Sequence, residues 1–399
     1  MKRRVRWKRV LLVLSVLLLA VLLVLLHSTD WLRSLGGHLE GARLERARRS
    51  PEFADGKFRN TEPSRMMSGS YREMFRRQFF GDEVRHPVKP VPVVARSAGD
   101  YANPPASGLR ATWIGWSSVL VEIDGKRVLT DPIWSERCSP STLVGPKRFH
   151  APPIALEQLP SIDAVVISHD HYDHLDMPTV EFLAKRGTHF AVPLGIGAHL
   201  ERWGIAAAQI HELDWNETFA LGGLTFTATP ARHYSGRDPR HQRETLWASW
   251  VVKGPQHRFF FSGDSGYSQS FRTTGAAHGP FDLALIKIGA SDPSWVEIHM
   301  SPEQAVQTAL DMRARVMLPV HWATFNLGFH AWSDPIEHAL AAASKSGVTI
   351  ATPRPGEFFE PASGGQAPLP VPSEAIKAGQ AGVPVLHSDA ALPRDTWWN

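Results

Sequence analysis

The sequence has 399 residues, 43% of them hydrophobic and 21% charged, a balance that suits a folded protein with a large core and excludes a disordered chain. A net charge of +4 is too small to argue for nucleic acid. The one cysteine, Cys138, excludes an internal disulfide and a zinc site built on thiolates.

The charge is concentrated at the amino end. Lys2, Arg3, Arg4, Arg6, Lys8 and Arg9 form a basic segment over 1–9, followed by an uncharged apolar run over 10–26. As a helix that run is roughly 26 Å long, close to a bilayer core of about 30 Å. No Ala-x-Ala pattern follows Leu26, so 10–26 reads as an uncleaved transmembrane signal anchor, with a cleaved signal peptide as its rival. The basic cluster favours a cytoplasmic amino end and a non-cytoplasmic remainder. Arg33, Arg43, Arg46, Arg48 and Arg49 beyond the run weigh the other way. Residues 27–108 read as a membrane-proximal connector with a short helix over 71–80, its basic residues facing lipid headgroups or solvent. Residues 98–108 read as a hinge before the next domain.

From Leu109 the pattern changes, and 109–360 reads as one α/β domain. An apolar run over 119–123, the pair Asp124-Gly125 and a second run over 126–130 predict a hairpin that ends at Asp131-Pro132. Short strands are predicted at 163–168, 225–229, 258–262, 282–288 and 315–320, with helices at 179–186 and 196–203. Another helix starts at Ser301, with Pro302 in its first turn and Gln304 three residues after the cap. Such alternation predicts sheets flanked by helices. The tail over 361–399 is rich in Pro, Ala and Gly and reads as poorly ordered.

The chemistry gathers in Ser168-His169-Asp170-His171-Tyr172-Asp173-His174-Leu175-Asp176, directly after a predicted strand. Imidazoles and carboxylates lose hydration on burial and need a partner, and a divalent cation is the simplest shared one. His233, Asp264 and His321 each stand at or just past the end of another predicted strand. Open α/β sheets place ligand sites there, so these loops can converge.

These residues resemble the ligand set of the metallo-β-lactamase superfamily. Thr130-Asp131-Pro132-Ile133-Trp134, Ser139-Pro140, Gly145-Pro146-Lys147-Arg148-Phe149, Gly263-Asp264-Ser265-Gly266-Tyr267, Gly279-Pro280-Phe281-Asp282, His299-Met300-Ser301-Pro302 and His321-Trp322-Ala323-Thr324-Phe325 narrow the match. Over about 109–358 the chain resembles the N-acylphosphatidylethanolamine-hydrolysing phospholipase D family, with an earlier echo in Gly56-Lys57-Phe58-Arg59-Asn60. The resemblance implies a four-layer αββα sandwich and two zinc ions per chain. His169, His171 and His233 would hold one ion, Asp173, His174 and His321 the other, with Asp264 bridging both. It further implies hydrolysis of N-acylphosphatidylethanolamine-like membrane phospholipids to phosphatidate and N-acylethanolamine, by attack of a dizinc-bound hydroxide. The alternative is a hydrolase of the same fold acting on lactones or other carbonyl substrates.

His299 is the candidate to hold the phosphate or protonate the leaving oxygen, unless it only makes a structural hydrogen bond beside the Ser301 cap. Asp176 reads either as an acceptor for a ligand imidazole or as a loop-stabilising carboxylate. Lys147 and Arg148 read as headgroup contacts or as a solvated loop, and Trp134, Phe149, Trp295 and Phe329 as acyl-chain contacts or core. The chain departs from the family at Gly115-Trp116-Ser117-Ser118, where a tryptophan replaces a histidine and an aromatic wall is expected in place of a polar contact. The partners implied are membrane phospholipid and the bilayer around the amino-terminal helix. Nucleic acid is not among them, and a homodimer is a permitted assembly.

Overall fold

The computed structural model describes residues 2–28, 31–66, 70–361 and 396–398. The helix Lys2–Ser28 carries the apolar run, and its window Trp7–Val24, of mean hydropathy 2.4, is unburied. The chain therefore has one amino-terminal helix apolar and long enough to act as a signal or membrane anchor.

In the connector, β1 (Phe53–Ala54) and β2 (Lys57–Phe58) make a small ribbon. A first large sheet contains β3 (Leu109–Gly115), β4 (Ser118–Ile123), β5 (Lys126–Thr130), β6 (Ala164–Val166), β7 (His189–Pro193) and β8 (Ile210–Leu213) in that spatial order. A second contains β9 (Thr218–Leu221), β10 (Leu224–Thr229), β11 (Ser249–Lys253), β12 (Arg258–Phe261), β13 (Leu283–Lys287) and β14 (Met317–Val320), also in sequence order. Finally β15 (Phe358–Phe359) returns to pair with β3.

Period-2 alternation sorts the side chains into layers. From β4, Val119, Val121 and Ile123 enter the core shared with Phe226, Trp250 and Phe259 of the second sheet. Leu120 between them joins Val180, Leu183 and Leu200 on the helices Met177–Lys185 and Ile196–Arg202. The far face of the second sheet is covered by Ser270–His278, Pro302–Asp311 and Asp334–Ser346, which contribute Phe271, Val306 and Ile336 to the core. Each such fully buried aliphatic or aromatic side chain contributes about 1.5–3 kcal/mol relative to exposure. The architecture is the αββα sandwich that the resemblance implies.

Local signals resolve as their chemistry dictates. Ile123 pairs with Lys126, and Asp124 (φ +48°) and Gly125 (φ +80°) are both left-handed, which makes a two-residue turn that follows the strand twist. Ser301 accepts a hydrogen bond from Gln304 N (3.3 Å), while Gln304 Oε1 accepts from Ser301 N (3.0 Å). Strand β6 is shorter than the predicted 163–168 because Ser168 N leaves the ladder to donate to Asp131 Oδ1 at 2.7 Å.

The connector lies against the domain. Ala47 and Phe58 are buried in the main core. Arg43 and Arg46 pair with Glu212 and Glu217, so their charges meet carboxylates and not headgroups. Trp203 Nε1 donates to Arg33 O at 2.7 Å, and Arg237 Nε to Ser34 O at 2.7 Å. The stretch 98–108 is no free hinge, since Tyr101 is buried and its carbonyl accepts from Arg127. Most of the Pro/Ala/Gly-rich tail lies outside the described residues. Trp397 and Trp398, however, pack against Trp322 with ring centroids 5.2 and 5.7 Å away.

Candidate metal centre

The metal loop leaves β6, His233 follows β10, Asp264 follows β12 and His321 follows β14. Their ligand atoms fall into two groups, each with all its atoms within 4.8 Å of one another. His169, His171 and His233 form one, and Asp173, His174, Asp264 and His321 the other. Further groupings of the same kind add Asp131 to His169 and His174, and His299 to His233 and Asp264. His299 Nε2 lies 3.7 Å from Asp264 Oδ2, and its ring centroid is 5.1 Å from that of His233.

The donor set fits a cation by its unmet needs. His174 Nε2, His321 Nε2 and Asp264 Oδ1 are buried without a hydrogen-bond partner. His174 Nε2 nevertheless lies 3.4 Å, and His321 Nε2 3.1 Å, from Asp264 Oδ2. Polar atoms crowded this closely without bonding one another are costly unless something sits between them. Electrostatics separates the groups. Burial holds His169 well below the usual imidazole range, helped by the neighbouring His174, His171 and His233, and pushes His233 down to about 3. Their nitrogen lone pairs are free to ligate. Burial raises Asp264 and Asp173, but the imidazoles around them outweigh it and hold both well below the carboxylate range.

Outer contacts fix the ligands. Asp131 Oδ2 accepts from His174 Nδ1 at 2.6 Å, and both oxygens of Asp131 hold Ser168, through its N at 2.7 Å and its Oγ at 2.5 Å. Ser168 Oγ is in turn 2.9 Å from His169 Nδ1. His233 Nδ1 donates to Ile298 O at 2.9 Å. Asn60 brackets the His233 backbone, accepting from His233 N at 3.0 Å and donating to His233 O at 2.9 Å. Such contacts set the tautomer and aim of a ligand. Sequence reasoning missed Asp131, Ser168 and Asn60 in these roles. The available signals were Asp131-Pro132 at a strand end and the early string ending in Asn60.

Asp170, inside the motif, takes no place in either group. Its oxygens accept from Gly236 N (2.6 Å) and Thr245 Oγ1 (2.9 Å), and one lies 3.2 Å from His199 Nε2. Asp176 is the loop-stabilising carboxylate, taking bonds from Ser135 Oγ (2.7 Å), Ser135 N (3.1 Å) and Thr179 Oγ1 (2.5 Å). Trp116 forms the expected aromatic wall against His321 and supplies a polar contact as well. It is buried, with its indole Nε1 donating to Asp173 Oδ2 at 3.1 Å and its ring 3.9 Å from that of His321. Trp116 (φ +54°), Asp131 (φ +32°) and His321 (φ +64°) all hold left-handed backbone, at about 1–3 kcal/mol each, where the centre is assembled.

The remaining polar and aromatic candidates resolve individually. Lys147 forms an exposed pair with Glu136 at 2.6 Å, while Arg148 is buried and donates to Ile133 O at 2.8 Å. Trp134 packs on the outer core and donates to Ile154 O, away from the ligands. Trp295 and Phe329 face each other at 5.2 Å, and Phe149 is half-buried. Buried Lys287 donates to Gly289 O at 2.7 Å, which ties down the start of the segment leading to His299. Burial pushes its ammonium down to about 7 despite Asp264 and Asp173.

A β-lactamase superfamily domain matches residues 126–322. A Mycobacterium tuberculosis protein described as uncharacterised is 47% identical over 350 residues, 85% of this chain and 91% of that protein. The solved structure of Igni18, a metallo hydrolase from Ignicoccus hospitalis, is 25% identical with a TM-score of 0.50, covering 63% of this chain and 98% of that one. N-acyl-phosphatidylethanolamine-hydrolyzing phospholipase D 1 of Caenorhabditis elegans is 39% identical over 250 residues, 60% of this chain and 70% of the nematode protein. A likeness of that strength over so much of the relative's length means that the chain belongs to the N-acylphosphatidylethanolamine-hydrolysing phospholipase D family of metallo-β-lactamase-fold hydrolases.

Proposed function

We propose that the chain is a zinc-dependent phosphodiesterase of phospholipase D type. It would hydrolyse N-acylphosphatidylethanolamine-like phospholipids to phosphatidate and N-acylethanolamine. The observation that carries this reading is the convergence of His169, His171, Asp173, His174, His233, Asp264 and His321 into two adjoining ligand groups in a chain 39% identical to an enzyme named for that reaction.

Histidine and carboxylate without thiolate suit zinc, and two such groups side by side suit a pair of ions. Bound there, zinc would supply Lewis-acid stabilisation of phosphoryl oxygens and acidified water. The protein supplies the rest. The neutral imidazoles of His169 and His233 present lone pairs, and the carboxylates of Asp173 and Asp264 offset cationic charge. Burial, then Lys287, keeps His299 well below the usual imidazole range. It therefore acts as a hydrogen-bonding group that orients a phosphate oxygen, and not as an imidazolium proton source.

The amino-terminal helix would anchor the enzyme beside its substrate, with the catalytic domain on the non-cytoplasmic side as the Lys2–Arg9 cluster directs. Tyr71, Phe75, Phe79 and Phe80 are exposed on the helix Tyr71–Phe80, as are Arg72 and Arg76, while its Arg77 pairs with Asp292 at 2.7 Å. An exposed aromatic and basic face suits a lipid surface. Mass spectrometry of purified protein with N-acylphosphatidylethanolamine in detergent tests the reading. Zinc-dependent release of phosphatidate is expected, and its absence with zinc bound would overturn the proposal.

A further inference from the structure

A third cluster of ligand-type side chains lies where the connector meets the domain. His38 comes from the connector, and His241 and Glu244 from the loop before β11. Their ligand atoms all lie within 4.8 Å of one another. They line one small cavity together with Asp170 and Asp238.

The geometry points to a peripheral divalent-metal site formed by His38, His241 and Glu244, which clasps the connector to the catalytic domain. Zinc bound at about 2.0–2.1 Å by tetrahedrally arranged ligands places those ligand atoms about 3.3 Å apart. The observed separations bracket that figure. His241 Nδ1 is 2.9 Å from Glu244 Oε1, a hydrogen bond that a bound ion would replace, and His38 Nδ1 is 3.8 Å from the other oxygen, Oε2. The second distance is too long for a hydrogen bond, which leaves His38, among the described residues, only an ion pair to Glu244 in its protonated form and a ring contact with His241. The two imidazoles lie with centroids 3.9 Å apart and planes at 32°. Two histidines and one glutamate, with a fourth position open to water, make a recognised zinc set.

The backbone is arranged to deliver His38. A Cβ at Gly36 (φ +82°) would come 2.1 Å from His199 Nδ1, and one at Gly37 would come 2.2 Å from Ala198 O. Glycines alone let the connector approach the helix Ile196–Arg202 this closely. The nearby cations are already engaged. Arg237 donates to the carbonyls of Ser34, Asp170 and Leu175, and Arg240 faces Asp238 at 3.5 Å. The carboxylates of Asp238 and Asp170 add negative charge to the same cavity, which the Arg237 guanidinium in its lining offsets in part.

The test uses the full chain in detergent, dialysed against buffered zinc and assayed for bound metal. Wild type is expected to hold about one equivalent per chain more than His38→Ala or Glu244→Gln. Asp264→Asn, which disturbs the main centre, should leave that difference of about one equivalent unchanged, so the outcome is separate from the phospholipase reading. Zinc should also slow proteolysis of the connector in wild type and in Asp264→Asn, but not in His38→Ala. Equal zinc contents in wild type and both cluster variants, or equal proteolysis with and without zinc, would overturn the site.

Discussion

Before β5, Asp124 Oδ1 lies 2.6 Å from His257 Nδ1, and past the far end of the same strand Asp131 Oδ2 lies 2.6 Å from His174 Nδ1. The two pairs share a distance and a pair of side-chain types, but not a setting. Burial is the largest single influence on Asp124 and raises it, but the bonds from His257 and from the backbone of Gln256 and His257 together outweigh it, leaving the carboxyl below its usual value. Asp131 is fully enclosed, and burial wins there despite His174 and Ser168, leaving it above its usual value. The outer pair ties two turns together at the rim. The inner pair holds a ligand whose other nitrogen, His174 Nε2, has no hydrogen-bond partner. One contact supports a structure, whereas the other orients a candidate ligand that, against the pull of burial, Asp264, Asp173 and Asp131 hold well above the usual imidazole range, and the environment of the carboxylate decides which.

That contrast can be broken by substitution. The largest effect is expected from Asp264→Asn, which removes a carboxylate common to His174, His321 and His299. Activity should fall at least about a thousandfold with loss of bound metal, read by turnover and metal analysis. Asp131→Asn keeps the shape but cannot accept from His174 Nδ1 and Ser168 with the same strength. Metal affinity should fall by about 10–100-fold in competition with a chelator, while the fold survives. Trp116→Phe keeps an aromatic ring beside His321 but removes the indole donor to Asp173 and some buried ring volume, so a weakening of about tenfold is expected in the same assay.

The smallest effect belongs to the rim pair. Asp124→Asn should cost about 1 kcal/mol at neutral pH, once its hydrogen bonds are discounted for solvent screening, and should leave metal binding unchanged. Because the folded value of Asp124 is lowered, its contribution is complete above the ordinary aspartate value of about 3.9 and disappears as pH falls through the folded value. Denaturation midpoints of the two proteins should therefore converge in acid. A gap that persists there would mean that shape, and not charge, makes the contact.

Much of this architecture was legible because its determinants are local. Asp124-Gly125 between alternating apolar runs dictates its own turn, and Ser301, Pro302 and Gln304 mark their own helix start. The candidate metal ligands were legible for a related reason, since they stand in loops that follow short apolar strands. The outer contacts were not, because nothing near Asn60 announces that His233 lies above it, 173 residues later. The same holds for Asp170 and Asp176. Within one motif, their neighbours joined the candidate ligand groups while they turned to Gly236, Thr245, Ser135 and Thr179, partners fixed only by tertiary packing. The ring of Trp116 was legible as an aromatic wall, but its N–H bond to Asp173 was not, because the partner lies 57 residues away.

Arg237 joins Ser34 O of the connector to the carbonyls of Asp170 and Leu175, which flank the metal loop. A shortened version made for solution work should therefore begin near Trp31, after the apolar helix, and not at Leu109 where the first large sheet starts. Cutting at the later point would strip the guanidinium of one acceptor, expose the faces that held Ala47 and Phe58, and take away Asn60 from beneath His233. Loss of catalysis in such a trimmed protein would report a dismantled scaffold, not a missing membrane.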